Sequence, residues 1–239
     1  AIFNNNNQFT EAVDVTETYR LTDTLNVDVN RQNAKAYCML KYYKTSINRY
    51  EALKAMGDRS FTTLYYLGVS QYADNWPYGA RDNLLEAHKK NPMDVNVLYY
   101  LAKACARSSW KEEGIAYMNK AFDMVVPTDS MMIRLYDGLL ECYKFHTKAD
   151  PYEKIEVMKE AYSYTKRYTL FYQIAEIYDY QKDYVNAVHY YEKYMALVPK
   201  DKQVALDEEG NPMPDIDTMY QKARRRVEKI KVEDFFRNG

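Results

Sequence analysis

Apolar side chains recur at three- and four-residue intervals through most of the chain. Leu64 and Leu67, then Ala80, Leu84 and Ala87, mark one pair of such stretches; Leu98, Leu101 and Cys105, then Met118 and Ala121, mark the next. That spacing lines one face of an α-helix and predicts two successive helix pairs. The pairs also repeat each other residue by residue. Leu64 returns as Leu98, Tyr65 as Tyr99, Tyr66 as Tyr100, Leu67 as Leu101, Trp76 as Trp110 and Ala87 as Ala121, each 34 residues on. A fixed period of this size marks a repeat architecture, in which each unit buries its apolar face against its neighbours.

The register extends in both directions. Behind it, 27–60 supplies Ala34, Tyr37, Ser46, Tyr50 and Leu53; ahead, 169–201 supplies Phe171, Ile174, Ala175, Tyr178, Ala187, Tyr191 and Pro199. Between them, 129–167 reads as a helix pair (Met132, Leu135, Leu139; then Met158, Ala161) with five extra residues expected in the turn near "FHTKADP". Phe9, Ala12 and Tyr19 fall at second-helix positions, so 1–26 reads as a partial repeat with an open end. After Pro199, Gly210, Pro212 and Pro214 predict a loop over 202–215. Ile216, Met219, Tyr220, Ala223, Val227 and Ile230 then put one apolar stripe on a capping helix within 216–239. The expected organisation is one solenoid: the partial repeat, repeats at 27–60, 61–94, 95–128, 129–167 and 169–201, the loop, and the capping helix.

The residue types at the recurring positions serve packing. Small side chains such as Gly68, Ala80 and Ala87 let helix axes approach to about 8 to 10 Å, and larger apolar residues fill the grooves between them. Pro92 and Pro199 stop second helices, because proline lacks the N–H and clashes with the preceding turn. Pro77 suits a first helical turn, with Asp74 and Asn75 as capping candidates. The turn expected in 27–60 is "LKYYK", with no Gly, Asn or Pro; it reads as a tight polar turn in preference to one continuous helix.

This pattern resembles the tetratricopeptide repeat: a bulky residue, three places on a Leu followed by Gly or Ala, three places further an aromatic, then Ala-x3-Phe and a closing Pro. The resemblance covers nearly the whole chain. It implies an all-α fold, a right-handed α-α superhelix (solenoid) of about five helix pairs with a C-terminal capping helix. It also implies that the first helix of each pair lines a concave groove. Carried over position by position, the groove would present Arg31 and Lys35; Tyr65, Val69 and Tyr72; Asn96, Tyr99, Lys103 and Arg107; Ile133, Asp137 and Glu141; and Tyr172, Glu176, Asp179 and Tyr180. The N-terminal half would be basic and aromatic, the C-terminal half acidic and aromatic. Tyr66, Tyr100 and Tyr178 read as fillers of helix interfaces, whereas Tyr65 and Tyr99 suit either role. The carboxylate clamp by which some relatives hold chaperone C-termini is missing, since Tyr66 and Tyr100 stand at two of its places.

Composition narrows the function without naming it. Tyr occurs 26 times and Gly and Pro 7 times each, which favours long helices and an aromatic-rich binding surface. A formal net charge of -1 gives no bulk attraction to nucleic acid or anionic membrane. Cys38, Cys105 and Cys142 are scattered and read as buried thiols. No apolar run approaches the length of a spanning helix, and compartment stays open. No phosphate-cradling glycine loop or nucleophile elbow occurs, and His88, His146 and His189 have no metal-ligand spacing. The acidic loop 207–215 lacks the oxygen-ligand order of a calcium loop. The expectation is a non-enzymatic scaffold without cofactor or small-molecule substrate, binding a protein or peptide, with oligomerisation possible through the N-terminal open end. The alternative is nucleic-acid or anionic-surface binding by Arg224, Arg225, Arg226, Lys229 and Lys231 of the final helix, whose simpler reading is a solvated face.

Overall fold

The computed structural model describes residues 1–213 and 216–238, with side chains given up to 233. Pro214, Asp215 and Gly239, which belong to the expected loop and tail, lie outside the described residues. The described elements are helical apart from a single antiparallel bridge, Leu206 to Pro212. The sequence reading draws one solenoid; the chain groups into two compact units, 1–147 and 148–239, divided in the turn inside 129–167.

Unit 1 holds a short α1 (Ile2–Asn5), α2 (Phe9–Arg20), and then the pairs α3 (Val27–Met39) with α4 (Tyr43–Ala55), α5 (Phe61–Ala73) with α6 (Pro77–Lys90), and α7 (Val95–Ala106) with α8 (Lys111–Asp123), closing on α9 (Asp129–Phe145). Unit 2 holds α10 (Pro151–Thr165), α11 (Thr169–Tyr180), α12 (Tyr184–Leu197) and α13 (Met219–Asn238). Each helix packs on the next within its unit, and α5, α7 and α9 also touch in turn. Helix pairs stacked in sequence order make this a solenoid class of fold.

The first helices of unit 1 start where a side-chain oxygen can satisfy the orphan N–H groups of the opening turn. Asn26 accepts from Val29, Ser60 from Thr63, Asp94 from Asn96 and Val97, and Thr128 from Met131. Asp74 and Asn75, named above as cap candidates for α6, do something else. Asp74 ends α5, Trp76 is the residue before α6, and Asn75 takes a left-handed φ of 62°. Trp76 N then donates to Gln71 O at 2.8 Å, the closing bond of a Schellman turn. Lys41 and Lys182 repeat the geometry, with φ of 66° and 61° and bonds from Tyr42 to Tyr37 O and Asp183 to Tyr178 O. So "LKYYK" is a turn made without glycine. The five extra residues of 129–167 go mostly elsewhere than expected: α9 runs 17 residues where α5 runs 13, and only 146–150 separate it from α10.

Packing explains the small residues. A Cβ on Gly114 would come within 2.8 Å of Ala102 O, and one on Gly68 within 2.5 Å of Leu84 Cγ, so each helix meets its partner almost at the backbone. Tyr50, Leu53, Leu64, Leu67, Leu84, Leu98, Leu101 and Met118 fill the layers between. Several polar groups inside are paired: Ser46 Oγ donates to Ala34 O and lies 2.9 Å from Ser70 Oγ, and Asn83 Nδ2 donates to Gln71 Oε1 at 2.8 Å, whereas the buried Tyr50 hydroxyl makes no hydrogen bond. In unit 2, α13 lays Ala223, Val227 and Ile230 on α12.

Candidate interaction face of the first helices

On unit 1 the contact of α5, α7 and α9 brings three of the expected groove residues to the carboxylate of a fourth. The hydroxyl of Tyr72 (α5) donates to Glu141 Oε1 (α9) at 2.6 Å; Lys103 Nζ (α7) lies 3.0 Å from Oε2, and Arg107 Nη2 lies 2.6 Å from Oε1. Lys103 and Arg107 also sit over the Tyr72 ring, at 5.1 and 4.4 Å. Burial by itself would push the Glu141 carboxyl up, but the Tyr72 hydroxyl, then Lys103 and Arg107, outweigh it and hold it below the usual carboxylate range. Burial and the same carboxylate push the Tyr72 phenol up. Burial alone would lower Lys103; Tyr99 and Glu141 more than offset it and raise its ammonium.

The remaining calls on this unit divide. Tyr99 is buried, 9% exposed; its ring is 4.9 Å from Lys103 Nζ and 4.4 Å from the Arg134 guanidinium. Tyr65 is half-buried, stacked on Phe61 at 5.9 Å and edge-on to Tyr66 and Tyr100, and burial pushes its phenol up. Asp137 is exposed on α9. Arg31 stands apart from the Glu141 cluster, paired with Asp58 at 3.0 Å and Asp28 at 2.7 Å, and Lys35 lies 5.5 Å from the Tyr66 ring centre. Arg134, absent from the sequence-derived set, joins the face by donating to Asn96 Oδ1 at 2.8 Å. It falls one period after Tyr100 and two after Tyr66, places that the sequence reading assigned to helix interfaces.

On unit 2, Tyr172 is edge-on to Tyr191 and Tyr194 at 5.5 and 5.3 Å, and burial, chiefly, pushes it up to about 12. Burial likewise raises the Glu176 carboxyl, against the opposing bond from Tyr172. Asp179 takes a two-pronged pair from Arg226 of α13, both bonds 2.6 Å. That pair shows what becomes of the basic run. Arg224 pairs with Glu228, Arg225 with Asp217, Lys229 with Glu233 and Lys231 with Glu192, so each named cation has a carboxylate of its own chain beside it.

The thiols are packed away: burial raises Cys105 to about 11 and Cys142 to about 12, which keeps them protonated and poorly nucleophilic at neutral pH. Among the described residues no three metal-ligating side chains converge, and no helix is long and apolar enough to cross a membrane. Asp207 of the acidic loop is engaged by the loop itself, accepting from the backbone of Glu209 and Asn211.

No family model matches the sequence, and no curated protein matches it. Solved structures do. YrrB, described as a TPR protein with an unusual peptide-binding site, superposes with a TM-score of 0.60 at 11% identity over 77% of this chain and 93% of YrrB. The C-terminal part of a TPR repeat-containing protein from Cytophaga hutchinsonii gives 0.61 at 14% identity, over 82% and 76%. Yeast Tom70 gives 0.52 at 15% identity, covering 96% of this chain but only 45% of Tom70. The fold is therefore that of tetratricopeptide repeat proteins.

Proposed function

We propose that the chain is a non-enzymatic protein-interaction scaffold that takes an extended peptide or a partner helix on the tyrosine-rich face of its first helices. The observation that carries this reading is the Glu141 cluster. Three neighbouring helices hold Tyr72, Lys103 and Arg107 in fixed positions before any ligand arrives, and preorganised aromatic and cationic groups lower the ordering cost of binding. Tyr65, half-buried, and exposed Asp137 border it. Because Glu141 offsets one of the two charges of Lys103 and Arg107, a ligand would meet this face as an aromatic surface of reduced positive charge with Arg134 at one side, rather than the strongly basic half-groove that the sequence suggests. A peptide-binding relative of the same fold, YrrB, supports the class of ligand. The paired state of Arg224, Arg225, Arg226, Lys229 and Lys231 gives no support to a nucleic-acid reading.

The test is selection of binders from a displayed peptide library, followed by photocrosslinking of a selected peptide. Crosslinks at Asn96, Arg134 or Asp137, with affinity lost in Arg134→Glu, support the reading. Crosslinks confined to α4, α6 or α8 overturn it.

A further inference from the structure

Taking the tyrosine-rich face of unit 1 as a peptide site, we propose that its ligand is a polyproline II segment of a partner protein with an acidic residue at each end, one meeting Lys35 and the other Arg134. Four rings form a continuous ribbon across α5 and α7. Tyr66 lies 5.0 Å from Tyr65, Tyr65 lies 6.2 Å from Tyr100, and Tyr100 lies 5.2 Å from Tyr99. Successive rings stand at 69°, 70° and 84°, so the ribbon alternates faces and edges. Each end carries a cation from a flanking helix: Lys35 of α3 lies 5.5 Å from the Tyr66 ring centre, and Arg134 of α9 lies 4.4 Å from that of Tyr99.

Charge, hydrogen bonding and length say what fits there. Arg31 is taken by Asp28 and Asp58, and Lys103 and Arg107 share Glu141. Lys35 and Arg134 have no carboxylate partner among the described residues; Arg134 gives one N–H to Asn96. A guanidinium lying on a ring keeps the rest of its five-donor fork for a carboxylate. The carboxylates of this face are engaged within the chain, Asp137 included. The hydroxyls of half-buried Tyr65, Tyr66 and Tyr100 make no hydrogen bond among the described residues, and burial raises the Tyr65 and Tyr66 phenols, which keeps them protonated. The face therefore offers chiefly donors. A proline segment is the complement: proline has a carbonyl but no N–H, the polyproline II helix leaves its carbonyls without internal partners, and its preformed shape docks on aromatic grooves at low ordering cost. Length agrees. The cation-to-ring and ring-to-ring steps, 5.5, 5.0, 6.2, 5.2 and 4.4 Å, hold the two cations no more than about 26 Å apart. Two turns of polyproline II put acidic residues six places apart on one side of the helix, about 19 Å from each other.

The experiment is fluorescence anisotropy of the full chain with labelled peptides in which two glutamates are separated by two, five or eleven prolines, placing them about 9, 19 and 37 Å apart. The five-proline peptide is expected to bind roughly tenfold more tightly than the others, because only it engages both cations at once, and its affinity should fall at high salt. Lys35→Gln and Arg134→Gln remove charges that no ion pair of the chain uses, so folding is preserved and circular dichroism checks it; each should erase the preference for five prolines. No binding of the series, equal affinity for the three lengths, or a preference that survives both variants would overturn the proposal. Tighter binding of an alanine-based helical peptide of the same charge would overturn it in favour of a partner helix. If the proline series fails while library-selected peptides still crosslink at Asn96 or Asp137, the face stands and only this ligand falls; crosslinks confined to α4, α6 or α8 overturn both.

Discussion

Replacing Glu141 by Gln keeps the side chain's shape and removes the charge to which Tyr72, Lys103 and Arg107 donate. The cost follows from exposure. Glu141 and Lys103 are each 16% exposed and Arg107 31%. Stranding one partner of a fully buried pair costs about 3–5 kcal/mol, whereas an exposed pair is worth about 0–1 kcal/mol. This mostly buried cluster lies between, so the loss expected is about 2–3 kcal/mol. For a unit of this size that is a fall of about 4–12 °C in the apparent Tm. The pH dependence has a definite sign. The folded carboxyl sits below its ordinary value, so its stabilisation is complete above the unfolded pKa and is lost as pH falls through the lower, folded one. Thermal melts at a series of pH values should therefore show the variant well below the wild type at pH 7 and the two converging in acid. A Tyr72→Phe variant, combined with Glu141→Gln in a double-mutant cycle, isolates the hydroxyl's share. Equal melting at pH 7, or a gap that does not close in acid, would refute the reasoning.

Tyr99→Ala should cost about 3–5 kcal/mol of folding free energy, as for other buried aromatics, because the ring is only 9% exposed; urea unfolding that shows a loss under about 1 kcal/mol would make it a surface residue instead. Gly114→Ala forces a methyl to 2.8 Å from Ala102 O and should destabilise by about 1–3 kcal/mol through overpacking, read from the same melts. Lys182→Gly relieves a left-handed residue at φ 61° and should stabilise unit 2 by up to about 1 kcal/mol, unless its melting does not rise. Arg226→Ala removes both bonds to Asp179 and should speed amide exchange in α13 more than in α11, since α13 is held by one face; unchanged protection would argue against the pair as an anchor.

Much of this protein is written locally. The 34-residue register determines where helices fall, because each pair must bury the same face against the same kind of neighbour. The caps obey it too: Asn26, Ser60, Asp94 and Thr128 stand 34 residues apart, a regularity that the apolar pattern alone does not use. Turn conformation is less legible, since Lys41 and Lys182 adopt the left-handed geometry that glycine usually supplies, under the demand of the helices on either side. Charge is the least legible. A count of basic positions on α7 and α13 says that cations are present, but not what they face. Glu141 lies 34 residues from Arg107 and 69 from Tyr72, and Asp179 lies 47 from Arg226. Periodicity can specify a helix and its buried stripe because both are short-range consequences of backbone geometry. Whether a cation is spent inside the fold or offered to a partner depends on which carboxylate the packed helices bring within about 3 Å, and only the tertiary structure decides that.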